Sequence, residues 1–132
     1  MIPFEFLMLG VSVVLGLIHI VAASHSASLQ RGYRWTASAR DEPMAPLVGV
    51  AGRLARALQN FGETFPMFAA LAIAIVVAGK SGPLSQWGAG LYFAGRVAYL
   101  PLYVLGVPLA RSLIWNVATF GIGLMLFALL RI

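Results

Sequence analysis

The chain has 132 residues, 61% of them hydrophobic and only 10% charged, with a mean hydropathy of +0.90. Soluble domains carry roughly 25% charged residues, so this composition excludes an ordinary soluble protein and specifies an integral membrane protein, one domain over residues 1–132. The net charge of +5 clusters near membrane edges, which speaks for topology and against nucleic acid, and the lack of cysteine excludes disulfides, thiolate metal sites and a cysteine nucleophile.

The first apolar run, residues 2–23, is long enough to span a bilayer. Its first charge is Glu5, and no basic segment precedes it, so it is expected to remain in the mature protein. His19 lies inside this run and reads as a packing residue. Neither His19 nor His25 has the partners of a metal site, and no metal is expected. The stretch SHSASLQRGYRWTASARDEP follows, with Arg31, Arg34, Arg40, Asp41 and Glu42. It reads as the end of the first helix and a loop facing water.

The second span is expected over residues 46–78. At 1.5 Å per residue it would be about 50 Å long, against about 30 Å of hydrocarbon, so its first turns must project from the membrane. Here lies RLARALQNFGE, Arg53 to Glu63. On a helix with Arg53 at zero, Arg56 falls at about 300°, Asn60 at about 340° and Glu63 at about 280°. One polar stripe therefore enters a charge-free apolar stretch, where polar groups normally face protein or a water-filled cavity. Pro66 should kink the helix one turn below Glu63.

Residues 85–105 make the third span, with Arg96 in GLYFAGRVAYLPLY. Tyr99 and Tyr103 follow at about 300° and 340° from Arg96, on the same face. An arginine this deep needs a partner, and Glu63 is the one acidic residue inside a span other than the terminal Glu5. The two are expected to lie near one another or to line one hydrated pocket. The glycines of GAGLYFAG permit close helix packing. The fourth span, residues 112–130, is apolar apart from Asn116 and Thr119, and Arg111 stands at its entrance.

Four spans place loops one and three on one side with Arg31, Arg34, Arg40, Arg53, Arg56 and Arg111. Lys80 and Arg131 lie on the other side with both termini. The positive-inside rule makes loops one and three cytoplasmic. A basic site there suits a small anionic ligand, and the surrounding apolar helices suit a lipophilic co-substrate drawn from the bilayer.

RLARALQNFGETFPMF resembles the second-helix signature of the MAPEG family, the membrane-associated proteins in eicosanoid and glutathione metabolism, through Arg56, Asn60, Glu63 and Pro66. GRVAYLPLY resembles its third-helix signature through Arg96, Tyr99 and Tyr103, and Arg111 resembles the arginine that opens its fourth helix. The resemblance covers nearly the whole chain. It implies an all-α integral membrane four-helix bundle assembling as a homotrimer, with glutathione as co-substrate near the cytoplasmic face. It implies glutathione contacts from Arg31, Arg53, Arg56, Asn60, Glu63, Arg96, Tyr99 and Tyr103, and a thiolate-stabilising, catalytic role for Arg111. Two positions depart from the family's eicosanoid enzymes. Leu58 stands where they have a polar residue, and Thr64 stands where the leukotriene synthase type has tyrosine.

The expectation is thus a glutathione transferase or peroxidase acting on lipophilic electrophiles, in a bacterial inner membrane. The alternative is a lipid-binding or scaffold protein of the same fold without chemistry, as in the family's non-enzymatic branch. A small multidrug transporter fits the size less well, because Glu63 comes with an arginine instead of standing alone as a proton carrier.

Overall fold

In the computed structural model, which describes residues 1–131, the chain is all-helical. The helices are α1 (Phe4–Arg31), the single turn α2 (Tyr33–Thr36), α3 (Gly49–Val77), α4 (Pro83–Leu105) and α5 (Pro108–Leu130). Residue 132 of the single expected unit lies outside the described residues. Helices α1, α3 and α5 are long and apolar enough to cross a membrane. In α4 the glycines, tyrosines and Arg96 dilute the apolar run, though the helix has the length.

The first helix runs into the polar stretch, as the sequence reading has it, and the fourth long helix starts earlier than that reading places it. Helix α1 continues past residue 23 to Arg31, because no glycine or proline stands between Gly16 and Gly32. It stops at Gly32, whose φ of 89° a residue with a Cβ rarely adopts. Helix α5 starts at Pro108, ahead of residue 112, since proline at the first helical position is preset in φ and gives up no needed N–H. Between α4 and α5, Gly106 takes the left-handed conformation and the Val107 N–H reaches back to Leu102 O at 3.1 Å, a glycine-closed helix end. Pro66 sits within α3, which continues through it even though proline leaves the Gly62 carbonyl without its helical donor.

The main core joins α3, α4 and α5 through Phe68, Ala72, Ile75, Ala89, Tyr92, Ala118 and Met125, all essentially sealed. As the glycine pattern suggested, α4 and α5 touch backbone to backbone. A Cβ built on Gly88 would lie 2.6 Å from Gly121 O, and one on Gly95 would lie 3.0 Å from Ala118 Cβ.

The two ends of the molecule are tied differently. At one, Glu5 is buried and accepts hydrogen bonds from Ser81 Oγ at 2.7 Å and from Ser85 Oγ. Lys80 Nζ there donates to Leu129 O at 2.7 Å and Arg131 O at 3.0 Å, so both termini meet the α3–α4 turn. At the other end the loop after α2 is strapped to α1. Gln30 donates to Pro46 O at 3.3 Å and accepts from Val48 N at 3.2 Å, while Arg31 Nη2 donates to Ala45 O at 3.3 Å.

Candidate functional site

The site is built around Arg96, which α4 carries into the interior with 1% of its surface exposed. Its Nη1 donates to Asn60 Oδ1 at 2.8 Å and its Nη2 to Thr64 Oγ1, both on α3. The guanidinium carbon lies 5.6 Å from the ring centre of Tyr92 and 5.4 Å from that of Tyr99. Neutral oxygens and two aromatic faces therefore surround the cation. Of the two arrangements expected for Arg96 and Glu63, proximity or a shared pocket, neither takes the form of a direct hydrogen bond. Glu63 is exposed, and its partner is Gln59 Nε2 at 3.3 Å, one turn away on the same helix. The physical reason is the width of the stripe. Asn60 and Thr64 turn inward towards α4, whereas Glu63 points off the helix's packed face.

A cavity of about 230 Å³ opens beside this cluster, lined by Asn60, Tyr99, Tyr103, Arg111, Ser112, Trp115 and Asn116. Four of the residues singled out in the sequence, Asn60, Tyr99, Tyr103 and Arg111, thus come together from three helices. Tyr99 and Tyr103, one turn apart, sit with ring centres 5.3 Å apart. The Arg111 guanidinium lies 4.7 Å over the Tyr103 ring. In the order Arg96, Tyr99, Tyr103, Arg111, two rings tilted 59° to one another carry a cation at each end. A guanidinium only donates, so Asn60 must turn its oxygen to Arg96, which leaves the amide N–H pair for a ligand. The wall is rich in donors and holds no carboxylate, which suits an anion.

The remaining sequence candidates lie outside this lining. Arg53 is half-buried, and its Nη1 would be 2.8 Å from a Cβ on Gly106, so it braces the α4–α5 turn at the cavity's end of the molecule. Arg56 and Glu63 are exposed on α3. Arg31 holds the strapped loop, with its guanidinium 5.0 Å from the Trp35 ring centre. Thr64, Tyr92 and Trp115 were not identified from sequence. Thr64 had been noted only as a departure from tyrosine. Tyr92 lies four residues before Arg96, a spacing that places it on the same helix face.

The model of the MAPEG family matches residues 8–131. In the comparisons with curated proteins and with solved structures, nothing matches.

Proposed function

The chain belongs to the MAPEG family, and on that premise we propose that it is a glutathione-dependent membrane enzyme, a transferase or peroxidase acting on lipophilic electrophiles. The observation that carries this reading is the carboxylate-free cavity lined by Arg111 and by Asn60, the partner of Arg96. Arginines of this kind match carboxylates in forked geometry. In this reading Arg31, Arg53, Arg56 and Arg96 hold the tripeptide's carboxylates, Asn60, Tyr99 and Tyr103 its polar backbone, and Glu63 its amine. Arg111 stands at the sulfur. A thiol titrates near 8.5 in water, and an adjacent cation lowers that value, so Arg111 favours the thiolate at neutral pH. The thiolate, its proton given up to water, then attacks the electrophilic carbon of a substrate dissolved in the bilayer; the C–S bond forms as the bond to the leaving group breaks, chloride in the case of 1-chloro-2,4-dinitrobenzene.

The cavity's volume of about 230 Å³ is below the roughly 300 Å³ at which ligand pockets usually begin. Arg56, Gln59 and Glu63 meanwhile stand exposed on α3. Both features support a site completed against another copy of the chain, read here as a homotrimer of four-helix subunits; the basic residues of loops one and three support a cytoplasmic position for those loops, in what we read as a bacterial inner membrane. A second reading, lipid binding without chemistry, is favoured by one feature. A largely apolar groove runs along Phe4, Pro83, Trp87, Gly90, Leu91 and Ala94.

Titration of the detergent-purified protein with glutathione, followed at the thiolate absorbance, tests the enzyme reading. Turnover of 1-chloro-2,4-dinitrobenzene is measured alongside. Binding, a thiolate band and turnover are expected together. Binding with no thiolate band and no turnover of any electrophile would favour the lipid-binding reading.

A further inference from the structure

Arg96 can serve an anion only if its guanidinium is held in one orientation. A buried arginine beside a cavity has several rotamers, and its charge is useful in few of them. Two contacts fix it from α3. Asn60 takes Nη1, and Asn60 also lines the cavity, so a ligand competes for that residue. Thr64 takes Nη2 and lies outside the cavity lining, 5% exposed. Behind Thr64 stands Tyr92, fully buried, with its hydroxyl 3.4 Å from Thr64 Oγ1. Thr64 Oγ1 is also 3.4 Å from Phe61 O, its own helix carbonyl. Arg96 only donates, so Thr64 Oγ1 accepts from it, while the Thr64 hydrogen has Phe61 O and the Tyr92 hydroxyl as acceptors at the same distance. Tyr92 is itself fixed by stacking on Phe68, with centres 4.0 Å apart and planes 14° apart.

We propose that Thr64 is a positioning residue for Arg96, itself set by the Tyr92 hydroxyl, so that this pair holds the guanidinium against Asn60, which lines the cavity. The inference rests on the reading of the cavity as an anion site. It gives the threonine that replaces tyrosine a specific task. A hydroxyl on a short, β-branched side chain reaches Arg96 from within the core. Among the described residues Arg96 Nε has no partner, so the hydrogen bonds that orient the group are those of its two Nη atoms, to Asn60 and Thr64.

The test uses full-length protein in lipid vesicles, with two readouts. The first needs no ligand. Nitrogen NMR of arginine-labelled protein, with the Arg96 signals identified by their loss in Arg96→Lys, reports whether the two Nη groups are distinct. They are expected to be resolved in wild type and in Thr64→Ser, and averaged in Thr64→Val. The second is the dissociation constant for glutathione. It should rise about tenfold or more in Thr64→Val, since a hydrogen bond to a charged group is lost, and recover in Thr64→Ser. Tyr92→Phe keeps both rings' stacking and should weaken binding less, about threefold, with no further loss when added to Thr64→Val. Unchanged Arg96 signals in Thr64→Val would overturn the proposal, as would Thr64→Ser behaving like Thr64→Val. Full additivity of the two substitutions would remove Tyr92 from it. Wild type that fails to bind glutathione while Thr64→Val still averages the Arg96 signals would sink the glutathione reading and leave the positioning role standing.

Discussion

A guanidinium buried in an apolar molecule needs electron density around it, and Arg96 draws it from an amide, a hydroxyl and two rings. Consequently Glu63→Gln, at an exposed position, should shift thermal stability by no more than about 0.5 kcal/mol. Asn60→Leu should cost about 1–3 kcal/mol, because it strands a buried donor. Equal losses in the two variants, read from melting in detergent, would restore the Glu63 pairing. Arg111 is half-buried against Tyr103 and lines the cavity. Arg111→Ala is expected to leave glutathione binding nearly intact and to lower dinitrobenzene turnover by about 10²-fold, the usual effect of losing one charge-stabilising donor. Arg111→Lys should recover only part, since an ammonium is not a planar fork. An Arg111→Ala variant as active as wild type would remove Arg111 from the mechanism. Much of this cluster was legible in the sequence because helical periodicity puts Arg96, Tyr99 and Tyr103 on one face. The partner of Arg96 was not. Periodicity places residues on a face of their own helix, but the relative rotation of α3 and α4 decides which of Asn60, Glu63 and Thr64 meets Arg96.

At the scale of the elements, the α4–α5 contact depends on what is missing from its side chains. A Cβ on Gly121 would lie 2.8 Å from Tyr92 N, and one on Gly88 would lie 2.7 Å from Met125 Cγ. Gly88→Ile is therefore expected to destabilise by overpacking, by about 1–3 kcal/mol or more, whereas Gly123→Ala, which meets nothing within 4 Å, should be nearly neutral. Denaturation in a mild detergent series compares them, and a tolerated Gly88→Ile would mean the two helices are not locked. Apolar run length revealed the four long helices, and glycine spacing revealed this seam. The helix ends were less legible. The polar stretch after residue 23 reads as the end of the first helix and a loop without saying where one gives way to the other, and the backbone turn at Gly32 decides it. The clasp on Glu5 was not legible at all, since Ser81 and Ser85 lie far along the chain and serines carry no long-range signal.

For the whole molecule, the distribution of basic residues is the testable quantity. Reporters active only in the cytoplasm, fused to each terminus and inserted in loop one, should be active in loop one alone; the opposite pattern would put the cavity on the other face. The clasp at the termini bears on biogenesis. As the chain leaves the ribosome, α1 reaches the bilayer with a carboxylate whose two hydroxyl partners have not yet been synthesised. Until residues 81–85 arrive, Glu5 must stay hydrated among the headgroups, and α1 has no fixed depth. The first helix should thus acquire its final register only when the second hairpin is made. Truncated nascent chains ending before residue 81 should show a sliding α1 by site-specific accessibility labelling, and chains extending beyond residue 105 a fixed one. Depth that is already fixed in the shorter chains would show that the clasp forms on a helix positioned by other means.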